Sequence, residues 1–245
     1  HSKTVHYRTR VEEAKDIIWA FQLGHPKSFV SYSGGKDSGA LLHLVRKGLG
    51  LDLPAVIVMD DLDFPGHETY VTRTALSLGA RLTTMWCPIS YQEFLLRHPE
   101  LDPSEDPFKS NELRMNDFSM MMDAYATANG YTGNYCGMRA SESNRRTRNL
   151  LAHGSSYERK SGVFSCNPLS WWQGIDVFAY LFEHGIEIPS VYRCLGLNAD
   201  PTTLRNNGWI PESLSSFGRM HWLRTYYPSL YRRLCTLMPR AQRQA

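Results

Sequence analysis

Apolar and polar positions along this chain alternate between helical and strand-like periods, and the changes of period mark the expected elements. Between residues 12 and 23 apolar positions recur at helical spacing and stop at Gly24 and Pro26, which predicts an amphipathic entry helix. Ser28–Tyr32 is a short apolar run of strand type. Ala40, Leu41, Leu44 and Val45 then return to a helical face. Pro54–Met59 reads as a buried strand ending at Asp60-Asp61, 66–79 as a helix, 81–86 as a third strand and 90–97 as a short helix. The stretch RHPELDPSEDPFKSNELR (97–114), rich in Pro, Asp and Ser, reads as a long loop or lid. Met115–Asn129 is predicted helical, 133–138 a strand, 142–152 a helix, 162–166 a fifth strand and 176–184 a helix. Strands alternating with helices predict an α/β fold with a doubly wound, mainly parallel five-stranded sheet covered by helices on both faces. A helical C-terminal extension follows, with the division expected at residue 195.

Ligands in such sheets bind beyond the carboxyl ends of the strands. Three polar segments fall there: the loop after the first strand, Asp60-Asp61, and the segment after Met138. The first reads Ser33-Gly34-Gly35-Lys36-Asp37-Ser38. A strand that turns through glycines into a helix offers backbone N–H groups at the positive end of the helix dipole, which suits a phosphate. The loop is no Walker A motif, because Val30 stands at its first glycine position and Asp37 follows the lysine; G-x-G-x-x-G is also absent. Residues able to form the cradle are Ser31, Tyr32, Ser33, Gly34, Gly35, Lys36, Asp37 and Ser38, joined by Asp60 and Gly137. Asp37 is a candidate magnesium ligand, since a carboxylate beside a phosphate needs a cation between them, and Asp60, after a buried strand, can hold magnesium, contact the nucleotide or cap its loop. Arg139 and Arg146 can clamp phosphate or sulfate with paired N–H groups, and with Lys36 and Asp37 form the expected catalytic set.

Charge and cysteine content narrow the chemistry. From residue 205 onward seven arginines face one glutamate, a net +6 in a chain whose total is +3, so the first 204 residues carry −3. That basic section interleaves Arg219, Arg224, Arg232 and Arg233 with Trp222, Tyr226, Tyr227 and Tyr231. It suits either a nucleic-acid surface or an amphipathic helix docked on the body or on a second subunit of a homodimer. The five cysteines, Cys87, Cys136, Cys166, Cys194 and Cys235, contain no C-x-x-C, so no iron–sulfur cluster is expected and most are read as buried thiols. Met115, Met120, Met121 and Met122 are expected as core filler. No apolar run approaches the length of a bilayer span, and the first ten residues lack a signal-like stretch; the expectation is a cytoplasmic protein.

The string S-G-G-K-D-S resembles the PP-loop of the adenine-nucleotide α-hydrolase-like superfamily. Further stretches resemble the sulfonucleotide (PAPS) reductases within it. MDDLDFPGHETY (59–70) is similar to their D-T-G…F-P-E-T, GMRASESNRRTR (137–148) to G-x-R-x-x-[EQ]-S-x-x-R, and NPLSWWQGIDVFAYLFEHGIEIPSVY (167–192) to P-L-x-x-W-x-x-x-D-V-x-x-Y. In order, these cover residues 28 to 195. The resemblance implies an adenine nucleotide (ATP, or PAPS or APS) on the loop, with magnesium. Within these stretches Trp172 and Asp176 read as a packed aromatic and a helix cap, Glu142-Ser143 as a cap, and His67 is unassigned.

A sulfonucleotide reductase attacks its substrate with a thiol carried in E-C-G-[IL]-H, and the present sequence shows no such motif. The same body serves ATP pyrophosphatases, including those of DNA phosphorothioate modification. The leading expectation is therefore an ATP pyrophosphatase that adenylates a substrate in a sulfur-transfer pathway, with a cysteine desulfurase as sulfur donor and DNA as acceptor. A sulfonucleotide reductase and a catalytically silent nucleotide-binding regulator are the alternatives.

Overall fold

The computed structural model describes residues 1–61, 63, 65–98, 107–190, 192 and 224–237. Two compact units divide the chain, one of residues 1–59, 63–86 and 121–189, the other of residues 60–62, 87–120 and 190–245. The second unit takes in 60–62 and 87–120 as well as 190–245, so it does not follow a single division of the chain.

The first unit is built on a six-stranded sheet. Its strands are β1 (Ser28–Ser31), β2 (Ala55–Met59), β3 (Leu82–Trp86), β4 (Gly133–Tyr135), β5 (Ser156–Glu158) and β6 (Phe164–Cys166), in the order β3-β2-β1-β4-β6-β5. Every pairing is parallel except β5 with β6. The expected five parallel strands are present. The sixth, β5, is a short antiparallel edge whose polar Ser156 and Glu158 are exposed, so it carries no buried apolar run to announce it. From β1 the chain steps outward to β2 and β3, then returns to place β4 on the other side of β1. That reversal opens a crevice at the carboxyl ends of β1 and β4.

Burial on both faces explains the strand compositions. Phe29 and Val30 of β1 and Ala55 and Val56 of β2 are wholly buried. Each large apolar side chain so buried contributes about 1.5–3 kcal/mol. On one side Phe29, Val56, Ala126 and Val163 form a cluster against which Met85, Met122, Tyr125 and Tyr131 pack. Helix α1 (Val5–Gly24) is longer than its periodicity suggested, because the Thr4 hydroxyl caps it by accepting from the Tyr7 N–H at 3.2 Å. It is tied to β4 where the Tyr135 hydroxyl donates to the Ile18 carbonyl at 3.1 Å.

The remaining helices are α2 (Lys36–His43), continued by a π-type turn at 44–48, then α3 (His67–Ser77), α4 (Tyr91–Arg97), α5 (Pro107–Ala128), α6 (Asn144–His153), α7 (Gly174–Glu183) and α8 (Pro228–Leu237). α5 begins inside the segment read as a loop: Pro107 sits at its first position, where the missing N–H costs nothing. The rest of that segment, 99–106, lies outside the described residues. Of the methionines read as core filler, Met120 is exposed while Met122 packs on the core. Within the second unit, Asp61 accepts from the Tyr91 N–H at 2.8 Å and pairs with Arg233 of α8 at 3.0 Å, and Cys235 is buried. Among the described residues no helix is long and apolar enough to cross a membrane.

Candidate functional site

The loop of residues 33–38 connects β1 to α2 at the crevice. Gly35 is the N-cap of α2 and no side chain caps this helix. The first turn, which carries Asp37, therefore presents backbone N–H groups at the positive dipole end with no side-chain cap on them. The loop is braced by its own serines. The Ser33 N–H donates to the Ser38 Oγ at 3.2 Å, the two hydroxyls lie 3.1 Å apart, and Ser38 Oγ donates to the Gly35 carbonyl at 3.1 Å.

Gly34 sits at φ +72°, where a side chain is strained, and it has no room for one. A Cβ there would lie 2.5 Å from Val71 Cγ1, 2.9 Å from His67 Cε1 and 3.3 Å from Tyr70 Cε1, so the first turns of α3 press directly on the loop. Gly137 has the same role on the opposite side. A Cβ on it would meet the backbone of Asp37 and Ser38 at 3.0–3.1 Å, so the strand-end segment after β4 runs against the start of α2.

Charge is concentrated beside this cradle. Lys36 is 2 % exposed and its Nζ lies 2.8 Å from Asp37 Oδ2; Arg139, 1 % exposed, donates from Nε to Asp37 Oδ1 at 2.6 Å. Two buried cations therefore share one carboxylate. Burial pushes the Lys36 ammonium below its ordinary pKa, and the Asp37 charge pulls it back up. Arg139 also donates from Nη1 to the Ser141 hydroxyl at 2.8 Å and to the Trp172 carbonyl at 3.4 Å. It thereby joins the loop, the turn at 140–142 and the segment before α7. Glu142 accepts from the Arg139 backbone N–H at 3.1 Å and pairs with Arg146. The Ser143 hydroxyl caps α6 by accepting from the Arg146 N–H at 3.2 Å.

The sequence-selected residues thus take different places. Ser33, Gly34, Gly35, Lys36, Asp37, Ser38, Gly137 and Arg139 come together at the loop. Ser31 turns its hydroxyl to Asn134 Oδ1 at 2.8 Å, and Tyr32 is buried beneath the loop. Arg146 stands half exposed on α6, and Arg145 and Arg148 lie exposed on the same helix. Asp60 follows β2 directly, is buried, and belongs to the second unit. Trp172 is buried, its indole N–H donating to the Arg10 carbonyl at 3.1 Å, and Asp176 accepts from the Gln173 N–H at 2.6 Å as an N-terminal cap. His67, which sequence reasoning left without a role, lies against the loop.

Each Asp37 oxygen is paired with a cation, and among the described residues no three His, Cys, Asp or Glu side chains cluster to receive an ion. Burial raises the pKa of both Cys136 and Cys166, while Cys194 lies outside the described residues.

Known proteins share this frame. The phosphoadenosine phosphosulfate reductase domain profile matches residues 27–195. No curated protein matches significantly. Phosphoadenylyl-sulfate reductase from Candida auris, solved as a phosphate complex, superposes with TM-score 0.55 at 16% identity, covering 73% of this chain and 82% of its own. FMN adenylyltransferase from Candida glabrata superposes at 0.52 as its ATP complex, with 16% identity over 80% of this chain and 62% of its own. As its complex with FAD and pyrophosphate, the same enzyme gives 0.56 at 14% identity, over 86% and 67%. This chain spans about two thirds of the adenylyltransferase.

Proposed function

The chain belongs to the phosphoadenosine phosphosulfate reductase domain family, a nucleotide-utilising PP-loop family of enzymes, and on that premise we propose that it is an ATP pyrophosphatase. In this reading the loop of residues 33–38 holds the β- and γ-phosphates of ATP. An acceptor oxygen attacks the α-phosphorus, the bond from it to the oxygen bridging to the β-phosphate breaks, and pyrophosphate leaves with the electron pair. The acceptor is left as its adenylate, from which a sulfur nucleophile displaces AMP in a sulfur-transfer reaction.

The observation that carries the proposal is the uncapped start of α2 beside a buried Lys36–Asp37–Arg139 cluster. Charge on departing pyrophosphate grows where the backbone N–H groups at the start of α2 lie, and these are fixed by the helix before the reaction begins. Arg139 holds Asp37, and Asp37 in turn orients Lys36. Arg146, tethered to Glu142 and half exposed, is free to meet the α-phosphate or the acceptor. Magnesium, when carried in on the nucleotide, neutralises phosphate charge. Asp37, at the start of α2, is the proposed ligand for it on the loop, and Asp60 lies at the end of β2 in the other unit.

The raised thiol pKa values of Cys136 and Cys166 favour this reading over thiol attack on a sulfonucleotide. DNA as the acceptor, approached through exposed Arg224, Arg232 and Arg233, and a cysteine desulfurase as the donor complete the proposal. A pyrophosphate-release assay with ATP and magnesium, with and without DNA, tests it beside a sulfite-release assay with PAPS and a thiol reductant. The expected result is pyrophosphate from ATP, increased by DNA. Sulfite from PAPS with no pyrophosphate from ATP would overturn it in favour of the reductase. Binding of ATP without turnover would do so in favour of a regulator.

A further inference from the structure

We propose that His67 is a further ligand-binding residue of this site, its imidazole donating to the terminal phosphates held on the loop. The inference rests on the nucleotide reading above and names a residue that reading leaves unused. His67 is the first residue of α3, and its Cε1 would lie 2.9 Å from a side-chain carbon placed on Gly34. Cε1 is the carbon between the two ring nitrogens, so both nitrogens lie one bond from the atom that meets the loop at Gly34. Tyr70 stacks on the ring at 6.3 Å between centroids and 22°, and with Val71 fixes α3 against Gly34. The absence of a Gly34 side chain is what lets the ring approach the loop backbone, the surface on which phosphate oxygens lie in the nucleotide reading.

Charge gives the second reason. Lys36 and Arg139 share Asp37, which leaves one net positive charge at the buried side of the cradle. A triphosphate brings more negative charge than that offsets, and a half-buried histidine on the facing helix supplies a further donor. Gly66-His67 separates Phe64-Pro65 from Glu68-Thr69, where the resembled family pattern runs F-P-E-T without interruption.

Isothermal titration of the whole chain with ATP, inorganic pyrophosphate and AMP tests this for wild type, His67→Ala and His67→Asn. Loss of one hydrogen bond to a charged group is expected to weaken ATP and pyrophosphate about tenfold or more in His67→Ala, with AMP within about twofold. His67→Asn, which keeps an N–H donor, is expected to recover most of that loss. Thermal midpoints check that the variants fold, and if His67→Ala does not, His67→Asn against wild type reads the same contrast between pyrophosphate and AMP. Unchanged affinities in folded His67→Ala, or an equal loss for all three ligands, would overturn the role of His67 while leaving the loop assignment standing. Wild-type protein that binds neither ATP nor pyrophosphate would overturn both.

Discussion

Replacing Asp37 is the perturbation with the largest consequence computable from the structure. The carboxylate is 16 % exposed, but the two cations it joins are nearly sealed from water, Lys36 at 2 % and Arg139 at 1–2 %. In Asp37→Ala both would lose their counter-charge in place. Lys36 can shed its proton, and burial already drives it that way. Arg139 cannot, because a guanidinium stays charged in proteins. Stranding a buried charge by removing its partner costs about 3–5 kcal/mol. In a chain of this size that corresponds to a fall of roughly 6–20 °C in thermal midpoint. Asp37→Ala is therefore expected to be a stability variant before it is a catalytic one. The assay is a double-mutant cycle by urea unfolding over wild type, Asp37→Ala, Arg139→Met and the pair. The double variant should recover part of the loss, with a coupling of about 2–3 kcal/mol between the two sites. A loss below about 1 kcal/mol in Asp37→Ala, or strict additivity, would refute the idea that this ion cluster supports the loop.

Other expectations follow from the same geometry. Gly34→Ala places a β-carbon 2.5 Å from Val71 Cγ1 at φ +72°, so it should lose about 2 kcal/mol or more of stability and most ATP affinity, read by thermal melting and titration. Burial lowers the His43 pKa from 6.5 to about 4, helped by the charge of His184, with its Nδ1 2.9 Å from the Tyr180 hydroxyl. The unfolded chain then binds more protons than the folded one between these values. Stability should be full above pH 6.5 and fall as the pH drops toward 4, and His43→Gln should flatten that slope in urea titrations. Cys136→Ser and Cys166→Ser should keep pyrophosphate release within about threefold, because Cys166 is buried, Cys136 half-buried, and both pKa values are raised. A hundredfold loss in either, with the fold intact, would point back to thiol chemistry.

Much of this arrangement is legible in the sequence because it is local. β1 and β2 are continuous apolar runs, and the loop and the start of α2 occupy adjacent residues, so period and composition place them. What escaped depends on distance along the chain or on the third dimension. Asp37 and Arg139 are 102 residues apart, and nothing in either neighbourhood says that one will hold the other. β5 is three residues long and polar at both ends, too short for a period to register. The start of α5 was hidden by Pro107, which marks a break in a loop and a beginning in a helix. His67 had no partner in sequence because its neighbour is a glycine, whose lack of a side chain becomes meaningful only when a ring is packed against it.

The most direct test of the central claim is a backbone amide titration of isotopically labelled protein with ATP and, separately, pyrophosphate, followed by NMR. The expected result is that the amides of Gly34, Gly35 and Ser38 shift first and saturate together, with AMP moving them far less. Saturable ATP shifts that leave those three amides in place would contradict the assignment of residues 33–38 as the phosphate cradle.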